Sequence, residues 1–300
     1  MRLTTVFFMI LFAAALYAAE EEARRSMGFF DFWQVSRVWV SAIVCIIGLI
    51  LLMRAKVTLK IRFFFMALAF FLFSIVNILP LGQFAVGMGL HPSPMCTIEK
   101  PFLFLERGRG IPLVFWSIFS SMAILSVVGN KLFCGWACPI GAIQEMIHRI
   151  PLPKRLKIIL PFQVSNSIRT LMFIGFVILV FAASFSIYEY TNPFEFLHWN
   201  SIELAVFIPF LVTFIGALFI YRPFCYLICP LGLFTWVIEQ FSVIRVKFDK
   251  AACTDCKLCL QKSPCPTVPA ILEGKRIRPD CHACGRCIEV CQDDALKFRV

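Results

Sequence analysis

Apolar residues gather in five long runs, at about 38–53, 63–81, 112–130, 170–188 and 202–220, with polar and charged residues confined to the segments between them. A hydrocarbon core takes roughly 17–25 residues of helix to cross, so each run reads as a membrane span. A further apolar stretch at 2–19 follows Arg2 and ends on Glu20, Glu21 and Glu22. It has the basic start and apolar core of a secretory signal, and serves equally as a retained anchor. Either way residue 20 lies outside, and five crossings bring the C-terminus inside. After about 246 the pattern changes to a polar segment with short strand and helix signals.

The charges between the runs agree with that topology. Arg54, Lys56, Lys60 and Arg62 fall inside, as do Lys131, Arg149, Lys154, Arg155, Lys157 and Arg169, and everything after Arg222. The loops placed outside hold Lys100, Arg107 and Arg109 at 82–111, and no basic residue at 189–201. This is the positive-inside bias of a multi-pass inner (cytoplasmic) membrane protein of bacterial type. The pattern also repeats. An apolar helix, Lys131-Leu-Phe-Cys-Gly-Trp-Ala-Cys-Pro-Ile-Gly and an amphipathic stretch fill 112–149. An apolar helix, Arg222-Pro-Phe-Cys-Tyr-Leu-Ile-Cys-Pro-Leu-Gly and another amphipathic stretch fill 204–245. Both copies run the same way, so a parallel repeat brings them to one depth.

Composition narrows the class. Hydrophobic residues make up 60%, 34 residues are Phe, and mean hydropathy is +0.82, which excludes an ordinary soluble domain. The net charge of +11 is spread between spans and around cysteines, not gathered into the stripe of a nucleic-acid binder. The 14 cysteines then supply the chemistry. Their tight, repeated spacing in a membrane chain favours metal over disulfides, and iron–sulfur over zinc.

Eight of them form two runs, Cys253-x2-Cys256-x2-Cys259-x5-Cys265-Pro266 and Cys281-x2-Cys284-x2-Cys287-x3-Cys291. This region resembles the bacterial two-cluster ferredoxins over about 50 residues. In that family the fourth cysteine of each run ligates the other cluster. The resemblance therefore implies one [4Fe–4S] cluster on Cys253, Cys256, Cys259 and Cys291, and a second on Cys281, Cys284, Cys287 and Cys265. Two departures stand out: five residues precede Cys265 where three are usual, and Gln292 replaces the usual proline. A zinc ribbon, or one cluster with a degenerate second site, is the competing reading.

Four more cysteines form two C-x3-C-P pairs, Cys134 with Cys138 and Cys225 with Cys229. A residue before proline is steered out of the helical region, and proline suits a first helical turn, so Cys138 and Cys229 are expected at helix starts. The unpaired N–H groups there are expected to lower the thiol pKa. The parallel repeat allows all four to close a possible third [4Fe–4S] site at the membrane edge. Zinc-type sites, a thiol–disulfide relay and plain interfacial cysteines stay open. Cys45 reads as core packing, and Cys96 as an external loop cysteine.

Apolar helices, paired C-x3-C-P motifs and a two-cluster tail together resemble the NapH/NosR/CcoG group of membrane polyferredoxins, over roughly residues 60–300. The NapH branch, which lacks the large flavin domain of NosR, is the nearest in layout. The resemblance implies electron transfer from the quinol pool toward periplasmic reductases, or support for copper-enzyme maturation. The fold expected is mainly α: a polytopic transmembrane bundle of five spans plus an N-terminal signal or anchor helix, with a C-terminal α+β two-cluster ferredoxin-like domain. The divisions are 1–19, 20–245 and 246–300, with the ferredoxin-like part and the C-terminus cytoplasmic.

The expected function is a membrane-bound iron–sulfur relay between the quinol pool or a membrane partner and a redox chain. Its partners are membrane lipid, the quinone pool and other redox subunits, with no nucleic acid. No residue reads as a catalytic acid or nucleophile, so quinol oxidation would be shared, with this chain as the quinol dehydrogenase component of a larger complex. Proton acceptors for quinol are sought in Glu145, His148 and Glu239 on the inner side, and in Glu189, His198 and Glu203 on the outer. The alternatives are a CcoG-like metal-reducing maturation factor and an iron–sulfur redox sensor. The first wants soft ligands near a cluster, and His91, Met95 and Cys96 lie on the far side of the membrane by the charge count. Four scattered histidines, none within a span, argue against haem.

Overall fold

The structure, a computed structural model, describes residues 28–89, 92–198 and 204–300. The signal or anchor expected at 1–19, His91 and Glu203 lie outside the described residues, as does the side chain of His198. Helices occupy each of the five apolar runs. They are α1 (Ser36–Met53), α2 (Leu59–Phe70, prolonged by a π turn Phe71–Ile75 and a 3-10 turn Val76–Ile78), α4 (Leu113–Gly129), α6 (Phe162–Ala183) and α7 (Leu204–Phe219). Three of them, α1, α2 through Ile78, and α6, are long and apolar enough to cross a membrane. The helices α4 and α7 have 17 and 16 residues. The long helices leave apolar side chains such as Ile46, Ile50, Leu171 and Ile178 exposed, which suits lipid and would be costly in water.

Between these helices lie α3 (Cys96–Glu106), α5 (Pro139–His148) and α8 (Pro230–Glu239). Both α5 and α8 begin on the proline that follows the second cysteine of a pair, and Cys138 and Cys229 sit extended at their N-caps. A proline in the first turn loses no hydrogen bond, and its ring forces the preceding cysteine out of the helix.

The repeat is longer than its sequence signature. Each unit has three helices, α2–α4–α5 and α6–α7–α8. Within each unit the short last helix packs on the first: α5 on α2, and α8 on α6. It then reaches across to the other unit, α5 against α7 and α8 against α4. This exchange interlocks the two units and brings the cysteine pairs face to face.

The C-terminal segment is closed by a two-stranded antiparallel sheet, β1 (Arg245–Phe248) with β2 (Leu296–Arg299). Its apolar residues Val246, Leu296 and Phe298 join the same core as Leu52 and Trp136 of the bundle. Trp136 Nε1 donates to the Ala283 carbonyl at 2.8 Å. An added Cβ on Gly285 would stand 2.9 Å from Leu52 Cδ2, so this turn is pressed against the end of α1.

Candidate iron–sulfur sites

Cys134, Cys138, Cys225 and Cys229 line a single buried cavity. Lys131 and His282 contribute to its wall, and so do Pro94, Met95 and Phe194 from the loops that follow α2 and α6. Sequence reasoning set Met95 apart from the cysteines, across the membrane. The structure corrects this: the loop folds inward, and Met95 is fully buried against the four-thiol cavity. Cys96 is likewise buried, hydrogen-bonded to Ser93 Oγ at 3.2 Å, and is no external contact for a partner. Cys45 sits in the core.

The helix-start geometry has the expected form, but its electrostatic consequence differs. Burial pushes the Cys138 and Cys229 thiols up to about 12, and the opposing N–H groups of Gly141 and Gly232 only partly offset it. Desolvation outweighs the helix terminus here because both thiols are enclosed in the interior of the bundle. Free thiolates would be costly in this cavity without a bound cation.

Cationic side chains surround it. Arg222 Nη1 donates to the Cys134 carbonyl at 2.7 Å, and Arg169 Nη1 to the Cys225 carbonyl at 3.2 Å. Arg62 Nη2 donates to the Gly135 carbonyl at 2.6 Å, and Lys131 Nζ to the Gly232 carbonyl at 2.6 Å. Lys131 and Arg222 occupy equivalent repeat positions, and each crosses to the other copy's loop. The glycine of each Cys-Pro-x-Gly end is explained by these contacts. A Cβ at Gly141 would lie 2.7 Å from Cys134 O and 3.0 Å from Arg222 Nη1. One at Gly232 would lie 2.9 Å from Cys225 O and 3.0 Å from Arg169 Nη1.

Two carboxylates answer these cations. Glu145 accepts from Arg62 at 2.8 and 3.1 Å, Arg222 at 2.6 Å, Arg149 at 3.0 Å and the Tyr221 hydroxyl at 3.1 Å. Asp280 pairs with Lys131, and with Arg169 at 3.1 Å. The positive-inside count placed Arg62, Lys131, Arg169 and Arg222 on the inner side, and none of them exceeds 1% exposure. Arg62 and Arg169 gave no signal beyond flanking an apolar run, whereas Lys131 and Arg222 stand out in the sequence as positive charge just before each cysteine pair. Asp280 gave no signal beyond preceding Cys281.

The candidates for quinol protons fare differently from expectation. Glu145 is committed as a counter-ion. Glu239 Oε1 accepts from the Cys281 N–H at 3.1 Å, and burial raises its carboxyl well above the ordinary range. Glu189 stands in the open, 3.8 Å from Lys100. His148 is buried, and its ring meets that of Tyr221 edge-on at 5.4 Å.

These groups set an acid limit. Burial, followed by Lys157 and Arg286, pushes His148 down to about 4 from 6.5, so the folded protein holds it neutral while the unfolded chain takes a proton. Stability contributed this way is lost as pH falls from 6.5 to about 4. Burial alone would raise Glu145, but Arg62 and Arg222 hold it well below the ordinary range. Its contribution is present above about 4.3 and is lost as pH falls through its folded value. Thermal stability in lipid is expected to fall from about pH 6.5 to about 4 through His148 and to go on falling below about 4.3 through Glu145. His148→Gln is expected to flatten the upper limb only, and an unchanged upper limb in that variant contradicts the assignment.

In the C-terminal segment, Cys253, Cys256, Cys259 and Cys291 line a second, more open cavity. Cys265, Cys281, Cys284 and Cys287 lie within mutual electrostatic reach, and burial leads the upward push on Cys265, Cys281 and Cys287. Among the described residues no three His, Cys, Asp or Glu side chains converge closely enough to hold one metal ion.

A 4Fe-4S binding domain family matches the chain twice, at residues 110–158 and 202–249. The matches fall on the two C-x3-C-P copies. The ferredoxin-type protein NapH of Haemophilus influenzae is 27% identical over 244 residues, covering 72% of this chain and 79% of that one. NapH of Escherichia coli is 28% identical over 188 residues, covering 58% and 63%. The methylamine utilization ferredoxin-type protein MauN of Methylorubrum extorquens is 28% identical over 195 residues, covering 60% and 64%. No solved structure matches. Three membrane-length apolar helices and a doubled 4Fe-4S domain define a membrane iron–sulfur protein of the ferredoxin type, with a role in electron transfer. The matches support a NapH-like polyferredoxin.

Proposed function

We propose that this protein carries three [4Fe–4S] clusters and relays single electrons between the quinol pool, or a membrane partner, and a redox chain. One cluster is held by Cys253, Cys256, Cys259 and Cys291, and a second by Cys265, Cys281, Cys284 and Cys287. The third is held by Cys134, Cys138, Cys225 and Cys229. The arrangement of 1–19, 20–245 and 246–300 as leader or anchor, five-span bundle and cytoplasmic ferredoxin-like part belongs to the same reading. So does dependence on other redox subunits.

The observation that carries the proposal is the charge around the four-thiol cavity. Arg62, Lys131, Arg169 and Arg222 are buried, and among the described residues the carboxylates ion-paired with them are Glu145 and Asp280. Four buried cations share two ion-paired carboxylates in a desolvated region, an arrangement that further negative charge at the cavity would stabilise. An oxidised cube with four thiolates carries a charge of about −2, and supplies one-electron chemistry when bound. A disulfide relay is neutral and would leave the cations uncompensated. The chain's own residues hold the site: the arginines and Lys131 fix the loop carbonyls, and Met95, Phe133 and Phe194 exclude water.

A quinol releases two electrons and two protons. The electrons would leave singly toward the cysteine sites and the protons to solvent. The maturation-factor reading wants soft ligands accessible to an incoming ion, and Met95 and Cys96 are buried.

Iron and sulfide analysis of anaerobically purified protein in lipid is expected to give about 12 iron per chain. Cys134→Ser and Cys225→Ser should each lose about four iron and one EPR component. About eight iron in the wild type, unchanged in both variants, removes the third cluster. Bleaching by reduced menaquinone that vanishes in those variants would support quinol as donor. Reduction by dithionite alone would point to a soluble or partner-bound donor.

A further inference from the structure

The two-stranded sheet carries its charge in an arrangement that does not favour its own pairing. In its register Arg245 stands opposite Arg299, and Lys247 opposite Lys297. Val246, Leu296 and Phe298 are buried in the core, so strand alternation turns all four cations to the other face. Like charges directly opposite on an antiparallel pair destabilise it. Among the described residues none of the four lies within ion-pair distance of a side-chain carboxylate. Lys247 Nζ donates to the Val300 carbonyl. Asp249, the next outward position, accepts from the Ala251 N–H at 3.1 Å. Arg278 Nη1 donates to the Val246 carbonyl at 2.6 Å and sets a further cation beside Arg245.

The position of this face points to its counter-ion. The N–H groups of Val243 and Ile244 donate to the Val127 and Val128 carbonyls at 2.7 and 3.1 Å, so β1 starts at the last turn of α4. A Cβ on Gly129 would stand 3.4 Å from Leu49 Cδ1 and 3.7 Å from Phe298 Cε1, which sets Phe298 between the ends of α1 and α4. Both strands therefore leave the ends of apolar helices, and α1 is long enough to cross a membrane. Just ahead of Arg245, Phe241 and Val243 are 74% and 53% exposed. The outer surface thus passes from apolar side chains to Arg245 and Arg299, and about 7 Å further on to Lys247 and Lys297. Acyl chains and phosphates are met in that order on leaving a bilayer. An acidic protein would answer the cations alone, whereas an anionic leaflet answers the cations and the apolar edge together.

We infer that this sheet face lies on anionic phospholipid headgroups, in the leaflet at the cysteine-bearing end of the bundle. The lipid phosphates supply the missing negative charge and hold the C-terminal segment to the membrane surface. The inference rests on the membrane placement of α1 and α4 proposed above, and needs none of the clusters.

The test uses the full chain in nanodiscs of phosphatidylcholine, with and without phosphatidylglycerol, and reads hydrogen exchange over residues 243–248 and 296–300. Phosphatidylglycerol is expected to slow exchange there at least about fivefold, and raised salt to remove most of the effect. Arg245→Gln, Lys297→Gln and Arg299→Gln combined should abolish this dependence on headgroup charge. In phosphatidylcholine alone the same variant should exchange more slowly than the wild type, because the facing charges no longer repel. Lys100→Gln, Arg107→Gln and Arg109→Gln remove as many charges from the segment before α4, at its opposite end, and should leave the wild-type response intact. Exchange indifferent to headgroup charge in the wild type, or a full response in the sheet variant, overturns the inference. So does a lost response in the distal variant, which would make it an effect of net charge. Protection that requires an acidic protein and ignores lipid charge also overturns it, and gives the face to that protein. A chain that stays soluble without lipid or detergent would instead overturn the membrane placement itself.

Discussion

Glu145→Ala is expected to cost about 3–5 kcal/mol of stability, enough to abolish most folded protein, because it strands buried cations. The carboxylate takes both bonds of the Arg62 fork and one from Arg222, in a region where neither guanidinium meets water. Arg62 reaches it from α2 and Arg222 from the second cysteine loop, so one side chain ties the first unit to the second. Glu145→Gln keeps the shape and part of the bonding but drops the charge, and is expected to fall between the wild type and alanine. Thermal or denaturant melting in detergent, with iron content as a second readout, checks the order. Wild-type melting in the alanine variant would mean that the network contributes nothing to the fold.

Gly135→Ala is expected to detach the C-terminal segment from the bundle. A Cβ there would stand 2.0 Å from the His282 carbonyl oxygen and 3.2 Å from its carbon, and backbone cannot swing aside as a flexible side chain does. The neighbouring anchors, the Trp136 bond to Ala283 and the Lys131 N–H bond to the Cys281 carbonyl at 3.2 Å, depend on the same close approach. Overpacking of this kind costs about 1–3 kcal/mol and sometimes more. Limited trypsin digestion should release fragments from the lysine- and arginine-rich 245–300 stretch at least several times faster than in the wild type. EPR should then show altered coupling between the ferredoxin-run sites and the four-thiol site. Equal digestion rates would show that the segment is held elsewhere.

A large share of this was legible in the chain. The five apolar runs, the duplicated Cys-x3-Cys-Pro-x-Gly block and the ferredoxin spacing are local patterns. Period, proline placement and cysteine intervals are properties of neighbouring residues. They suffice to place helices, to put Cys138 and Cys229 at helix starts, and to group Cys253, Cys256, Cys259 and Cys291 into a set that the fold brings around one cavity.

What local pattern could not carry was the fate of charge. Arg62 and Arg169 look like any basic residue flanking a span, and Glu145 like any interfacial acid. Their roles come from partners 83 residues away for Arg62–Glu145 and 77 for Arg222–Glu145. The same holds for Met95, read across the membrane from the cysteines and found at the cavity wall because its loop folds back into the bundle. The thiols show the limit from the other direction. The helix terminus that should lower their pKa is present, but the depth of burial, which only the assembled units create, prevails.

By itself, then, the sequence determined the helices, the duplication, the iron–sulfur character and the membrane setting, since each follows from short-range spacing and composition. The tertiary structure alone decided which cations face which carboxylates, how the two units exchange their short helices, and that the C-terminal sheet turns two like-charged pairs outward at the ends of α1 and α4. Those are contacts between distant segments, and burial, charge balance and cavity shape exist only once the segments have met.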